Sequence, residues 1–224
     1  MTTLEYVNDN LCLAATVGSI AYGLNHAASD VDTMAVFVAA ASEVSGLDWR
    51  QSDNSWADNS PEGDDLTAHE IGKYLRLCLN GNPTLIELLF MEEYTTLTNV
   101  GQGILDIREH LLGESILRSS YHGYAHSQFV RVANAGPDSF KPKMARHTLR
   151  IARQGVALMQ TGEFSVRVED PQEYFDLTDL PYTDMLKKMI EPIEQLKTCK
   201  SILPAEANRR AVSDFLRTVR YEYP

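Results

Sequence analysis

Cysteine is scarce in this chain. Cys12, Cys78 and Cys199 stand far apart with no paired spacing, which excludes a disulfide framework and a CxxC zinc site and predicts reduced, mostly buried thiols. No apolar run approaches the roughly 20 residues that span a bilayer. Residues Met1 to Asn10 are polar and include Glu5 and Asp9, the opposite of a basic, then apolar, leader. These absences predict a cytoplasmic protein with no membrane partner. Positive charge is also short: 20 Lys and Arg against 31 Asp and Glu give a net charge of −11. Such a surface repels phosphate backbones, so a polyanionic ligand must enter through a local basic patch. There is no Gly-x-Ser-x-Gly elbow, no Walker loop and no GxGxxG fingerprint, which removes the usual hydrolase, P-loop and dinucleotide-binding readings.

Two further motifs fail on inspection. His122 and His126 have the i, i+4 spacing of a helical zinc pair, but Gly123 stands where a glutamate base would sit, so packing beside Tyr121 and Tyr124 is the better reading and no zinc is expected. Residues Ser52 to Asp64, with Pro61 and Gly63, read as an exposed polar loop; their oxygens and glycine do not fall in the register of a calcium loop.

What is present suits a soluble α+β protein. The 224 residues, 44% hydrophobic and 23% charged, are enough for one core or for a small catalytic domain with a helical appendage. The segment from Leu11 reads as helix or strand up to a turn at Gly18-Ser19. Val31 to Ala40 is apolar and partly β-branched, a buried strand. Asp65 to Thr67 resembles a short strand running into a helix from about Ala68 to Leu79, which Asn80-Gly81-Asn82-Pro83 stops. Thr84 to Phe90 adds a helical turn or two. Beyond about residue 99 strand signals fade, and helices are predicted over roughly 101–112, 115–135, 141–161, 181–200 and 205–220. Pro204 would open the last and Gly162 would end the third. The expected division is therefore 1–100 as a catalytic core and 101–224 as a helical region.

The chemistry concentrates in Gly18-Ser19 and Asp30-Val31-Asp32. Residues two apart on a strand share a face, so Asp30 and Asp32 would project together at a sheet edge. Side-by-side carboxylates repel unless a cation lies between them, and Mg²⁺ prefers such hard oxygen ligands while keeping sites for phosphate. Gly18 permits close backbone approach, and Ser19 offers a hydroxyl and an amide to phosphate oxygens. A helix starting there would add its partial positive charge. A triphosphate could lie between that turn and a metal on the aspartates, and phosphoryl transfer needs mainly positioning and charge neutralisation. A second constellation, Lys141, Lys143, Arg146, His147, Arg150 and Arg153, places most of its basic groups on one broad helical face. Such a stripe is unusual in a chain of this charge.

The run GSIAYGLNHAASDVD resembles the GS…DxD motif of the DNA polymerase β-like nucleotidyltransferases. The segments DLTAHE (65–70), KYLRL (73–77), NPTLIELL (82–89), GYA (123–125) and KMARHTLR (143–150) resemble one subfamily, the RNA-repair-associated RlaP proteins, over roughly residues 15 to 165. The resemblance implies a polymerase β-like core, a small mixed sheet flanked by helices, with the C-terminal helices closing over a nucleotide. It implies transfer of an NMP from an NTP, ATP foremost, to a hydroxyl with release of pyrophosphate, an RNA end being slightly favoured as acceptor. A protein side chain, a small molecule, or a silent nucleotide- or partner-binding module are the alternatives. The superfamily uses a third carboxylate on a neighbouring strand: Asp65 fits best and Glu70 competes, the latter expected on a helix surface or behind the site. With Asp30, Asp32 and Asp65, two Mg²⁺ (or Mn²⁺) ions become available and Asp65 becomes the nearest acceptor for the nucleophile's proton. The match at Lys143, His147 and Arg150 favours phosphate contact there. Arg146, Lys73 and Arg76 are weaker candidates for that role.

Overall fold

The computed structural model describes residues 2–27, 29–59 and 64–224; Pro61 and Gly63 of the expected polar loop lie outside them. Thr3 caps a first short helix, α1 (Leu4–Asp9), by accepting from the Tyr6 amide. The apolar run that follows is a strand, β1 (Leu11–Val17), not a helix. A single helical turn, α2 (Gly18–Tyr22), and the loop after it lead to β2 (Val31–Phe37) and the short α3 (Ala41–Val44). The segment read as an exposed loop contains a 3₁₀ turn, Gln51–Asn54, and a strand, β3 (Ser55–Asn59). That strand exists because Trp56 packs against the cluster around Ala68 and because its backbone pairs antiparallel with β4 (Asp64–Glu70). Strand β4 is therefore longer than the sequence predicts, and α4 (Ile71–Leu79) starts at Ile71 and not at Ala68.

After α5 (Pro83–Glu87), a short β5 (Thr96–Leu97) completes a five-stranded sheet in the order β3-β4-β2-β1-β5. Among the described residues only β2 and β4 run parallel. The remainder is helical: α6 (Asn99–Asp106), α7 (Glu114–Ala135), α8 (Pro142–Thr161), α9 (Pro171–Asp176), α10 (Tyr182–Thr198) and α11 (Arg209–Glu222). Helix α9 lies outside the predicted segments. Gly162 does stand where α8 stops, but α11 begins at Arg209, and Pro204 lies in the connection before it. The protein is thus α+β, a mixed sheet with a helical C-terminal region. Among the described residues no helix is long and apolar enough to cross a membrane.

Alternation along the strands separates two cores. Leu13, Ala15, Met34 and Val36 face α4, α5 and the helices beyond. Ala14, Ala35, Phe37 and Ala68 face α1 and the tryptophans of the 49–56 segment. The first of these cores runs without a break from Cys12 in β1 to Val219 in α11, so it draws on both sides of residue 100. Helix α11 closes over the sheet: Arg220 pairs with Glu70 and donates to the Ala39 carbonyl at 2.7 Å, and the Ala41 amide donates to the Tyr223 carbonyl at 2.8 Å. A third cluster joins α7, α8 and α10 to Tyr22, the last residue of α2, and to Leu24 just after it. The helical region is thereby fastened beside the Gly-Ser turn.

Candidate active site

The site forms where β1 ends and β2 begins. Val17 is the register partner of Asp32, and on the other side of β2 Asp32 is the partner of Asp65 on parallel β4. Paired residues share a face, so the two carboxylates stand side by side on the face that carries the larger core. Gly18 is held at φ +72°, a left-handed conformation natural to glycine. A Cβ there would collide with Asp32 Oδ2 and lie 3.0 Å from Asp32 Cγ. The turn is thus built directly against the carboxylate, which accounts for a glycine at this position.

Asp32 is half-buried. Burial, the largest influence, pushes its carboxyl above the ordinary aspartate value; Lys143 opposes this, while Asp65 and then Asp30 add to it. Asp30 itself is exposed, lies just ahead of β2 and does not line the cleft described below. Among the described residues no three His, Cys, Asp or Glu side chains converge as a ready-made metal cage. What Asp32 and Asp65 offer is a pair of hard oxygen donors in a region where negative charge accumulates, a donor set suited to Mg²⁺ or Mn²⁺.

A cleft of about 470 Å³ opens over this turn. Gly18, Ser19 and Asp32 line it together with Lys141, Lys143 and Arg146 from the start of α8. Lys141 and Lys143 are exposed and pair with no carboxylate among the described residues. Cationic side chains, the serine turn and Asp32 thus share one cleft, and Lys143 is near enough to act on the Asp32 carboxyl. Helix α2 is a single turn, so the expected dipole contribution reduces to its few free amides.

A family model described as "RNA repair pathway DNA polymerase beta family", RlaP, matches residues 3–211. The chain belongs to the RlaP family. Its polymerase β-like membership supports a general nucleotidyltransferase. The match reaches well beyond the 15–165 stretch, into α11. Among curated proteins, none matches the chain.

In this RlaP chain the predicted site residues separate into groups. Gly18, Ser19, Asp32, Lys143, Arg146, His147 and Arg150 all border the one cleft, and Asp65 adjoins it through Asp32. Glu70 does not. It lies five residues beyond Asp65 on the same strand, hence on the opposite face. It is also buried and not on a helix surface, accepting from the Gly72 amide at 2.8 Å as the cap of α4 and pairing with Arg220. Lys73 and Arg76 on α4 do not border the cleft either. Arg153 leaves the basic stripe to bind Glu173, with both guanidinium nitrogens donating at 2.6 and 2.8 Å, and Lys188 shares that carboxylate.

Arg150 is the unexpected member. Its guanidinium is 1% exposed and is ion-paired with the equally buried Glu87. It also donates to Gln154 at 2.8 Å and to His147 Nδ1 at 3.2 Å, and it lies 3.4 Å over the Tyr22 ring. The Tyr22 hydroxyl donates to Glu87 at 2.8 Å. An arginine N–H can only donate, so His147 Nδ1 is the bare nitrogen and Nε2–H faces the Tyr124 oxygen, 3.0 Å away. Burial, then Arg150 and Lys143, push His147 down to about 4, so it is neutral. Sequence reading gave Glu87 and Tyr22 no role. The available signal was Glu87 itself, one carboxylate inside the apolar run Leu85 to Leu89, which calls for a buried cation.

Proposed function

We propose that this protein is a divalent-metal-dependent nucleotidyltransferase that moves an NMP from an NTP, ATP foremost, to the hydroxyl of an RNA end. The observation that carries the reading is the Asp32–Asp65 pairing across parallel strands with the Gly18 turn packed against Asp32. Membership in an RNA-repair family supports RNA as the acceptor. Asp32 and Asp65, with Asp30 just ahead of β2, would hold the metal, which when bound neutralises phosphate charge and acidifies the attacking hydroxyl. The Ser19 hydroxyl and turn amides take one edge of the triphosphate. Lys143 and Lys141 take the other, a role for which they are better placed than Arg150, whose charge is spent on Glu87. The acceptor oxygen attacks the α-phosphorus, the bond to the bridging oxygen of the β-phosphate breaks, and pyrophosphate leaves with that electron pair. The proton lost by the acceptor passes to Asp65, the carboxylate on the outer side of Asp32. Arg150 and neutral His147 shape the cleft wall.

The test is calorimetric titration of each NTP with and without Mg²⁺, followed by label transfer from the α-labelled nucleotide to RNA. Asp32→Ala is expected to lose metal-dependent binding. Asp65→Asn is expected to bind and fail to transfer, while Glu70→Gln transfers and melts at a lower temperature. Folded wild type that binds no NTP in Mg²⁺, or Asp65→Asn with full turnover, would overturn the reading.

A further inference from the structure

Apart from the cleft, one cluster of polar side chains has no structural task that explains it. Ser55 on edge strand β3 is the register partner of His69 on β4. Its hydroxyl lies 2.6 Å from His69 Nδ1, and Lys73 Nζ, one turn into α4, donates to the same oxygen at 2.5 Å. An ammonium has no lone pair to offer, so Ser55 Oγ accepts from Lys73 and turns its own proton to His69. His69 is then neutral with its hydrogen on Nε2, in keeping with burial, and after it Lys73, lowering it to about 4.

The valences left over are almost all donors: two N–H bonds on Lys73 and Nε2–H on His69. Lys73 has no carboxylate partner among the described residues, in a chain of net charge −11. Position adds a direction. Asp65, Thr67 and His69 alternate onto one face of β4, the face of the aspartate pair. Ala57, between Ser55 and the site on the neighbouring strand, is exposed, and Thr67 partly so. Among the described residues a partly open track thus runs from Asp65 to the cluster, four residues or about 13 Å along the strand. Arg76, exposed one turn further along α4, extends the positive side.

We propose that Lys73, oriented by Ser55 and His69, is an anion subsite that takes a backbone phosphate of the acceptor strand internal to its reacting end. The proposal deepens the reading above, on which it rests for the choice of RNA. An oligonucleotide bridges the interval from Asp65 to Lys73, whereas a single side-chain or small-molecule hydroxyl does not.

Fluorescence anisotropy of a labelled single-stranded oligoribonucleotide, in salt from about 50 to 200 mM, tests it with wild type, Lys73→Met, Lys73→Arg and Ser55→Ala. One lost phosphate contact lowers the log–log salt slope by about 0.7. Over that fourfold salt range, Lys73→Met should therefore lose about 2.6-fold less affinity than wild type. It should also bind more weakly at low salt on every sequence tried, with Mg²⁺·NTP binding unchanged. Lys73→Arg should keep the wild-type slope. Ser55→Ala, which releases the ammonium, should weaken binding in the same direction and serves if Lys73→Met does not fold. Wild-type affinity and slope in both Lys73→Met and Ser55→Ala would overturn the proposal, and so would absence of RNA binding by wild type. Loss of NTP binding by wild type would instead strike the transferase reading and leave the phosphate contact standing.

Discussion

Gly18→Ala isolates the contact on which the site depends. Alanine at φ +72° costs about 1–2 kcal/mol relative to glycine, which for a chain of this size lowers the melting temperature by roughly 2–8 °C. The new methyl also collides with the Asp32 carboxylate. To restore an ordinary contact the carboxylate must move by roughly 1 Å, and a displacement of that size at a reacting centre costs about 10²-fold. Gly23 separates the two effects. It has φ +71°, so Gly23→Ala bears the same backbone strain, but its Cβ would meet only the Arg167 guanidinium, at 3.4 Å, on an exposed side chain able to swing aside. Both variants are expected to melt a few degrees early, and only Gly18→Ala is expected to lose metal-dependent NTP binding and transfer. Calorimetry beside thermal denaturation reads both quantities. Wild-type NTP binding by Gly18→Ala, or an equal loss in Gly23→Ala, would refute the view that the turn positions Asp32.

Two further outcomes follow from the buried network. Glu87→Gln leaves the Arg150 charge uncompensated in the interior and should cost about 3–5 kcal/mol, whereas the double substitution Glu87→Met, Arg150→Met should recover most of that stability in the same melting experiment. His147 titrates near 4 when folded and near 6.5 when unfolded, so between those values the unfolded chain takes up a proton that the folded chain refuses. Stability should therefore fall by about 3–4 kcal/mol as pH drops through that window and change no further on this account below it. His69 adds to the loss in the same direction, and a pH series of urea midpoints should be visibly flatter for His147→Gln.

The parts of the molecule legible in sequence are those whose cause is local. Gly18-Ser19 followed by Asp30-x-Asp32 carries its own backbone requirement and strand alternation, and α7 and α8 declare themselves by length and by Gly162. Strand β3 could not be read that way. It is a polar edge segment whose structure comes from pairing with β4 and from Trp56 packing against the cluster around Ala68. The short β5 depends equally on a remote neighbour, β1, whereas α1 and α9 carry local caps, Thr3 and Asp170 ahead of Pro171, that were there to be read. The register between Asp32 and Asp65, and that between Ser55 and His69, are relations across strands that no linear spacing encodes. Arg150 illustrates the same limit, since periodicity placed it on a basic face but could not show that Glu87 and Tyr22 had claimed its guanidinium.

The Arg220–Glu70 pairing has a consequence for biosynthesis. A ribosome delivers Glu70 150 residues before its partner, and at roughly 5–20 residues per second the carboxylate waits about 8–30 s for its counterion. Throughout that interval the strand carrying Asp65 has no α11 across its end, and the apolar edge that Val212 and Val219 later cover is open to other nascent chains. Maturation of the sheet is therefore timed by translation of the α11 segment. Fusions made after Tyr223, whose carbonyl accepts from the Ala41 amide, require a linker long enough to let that helix dock.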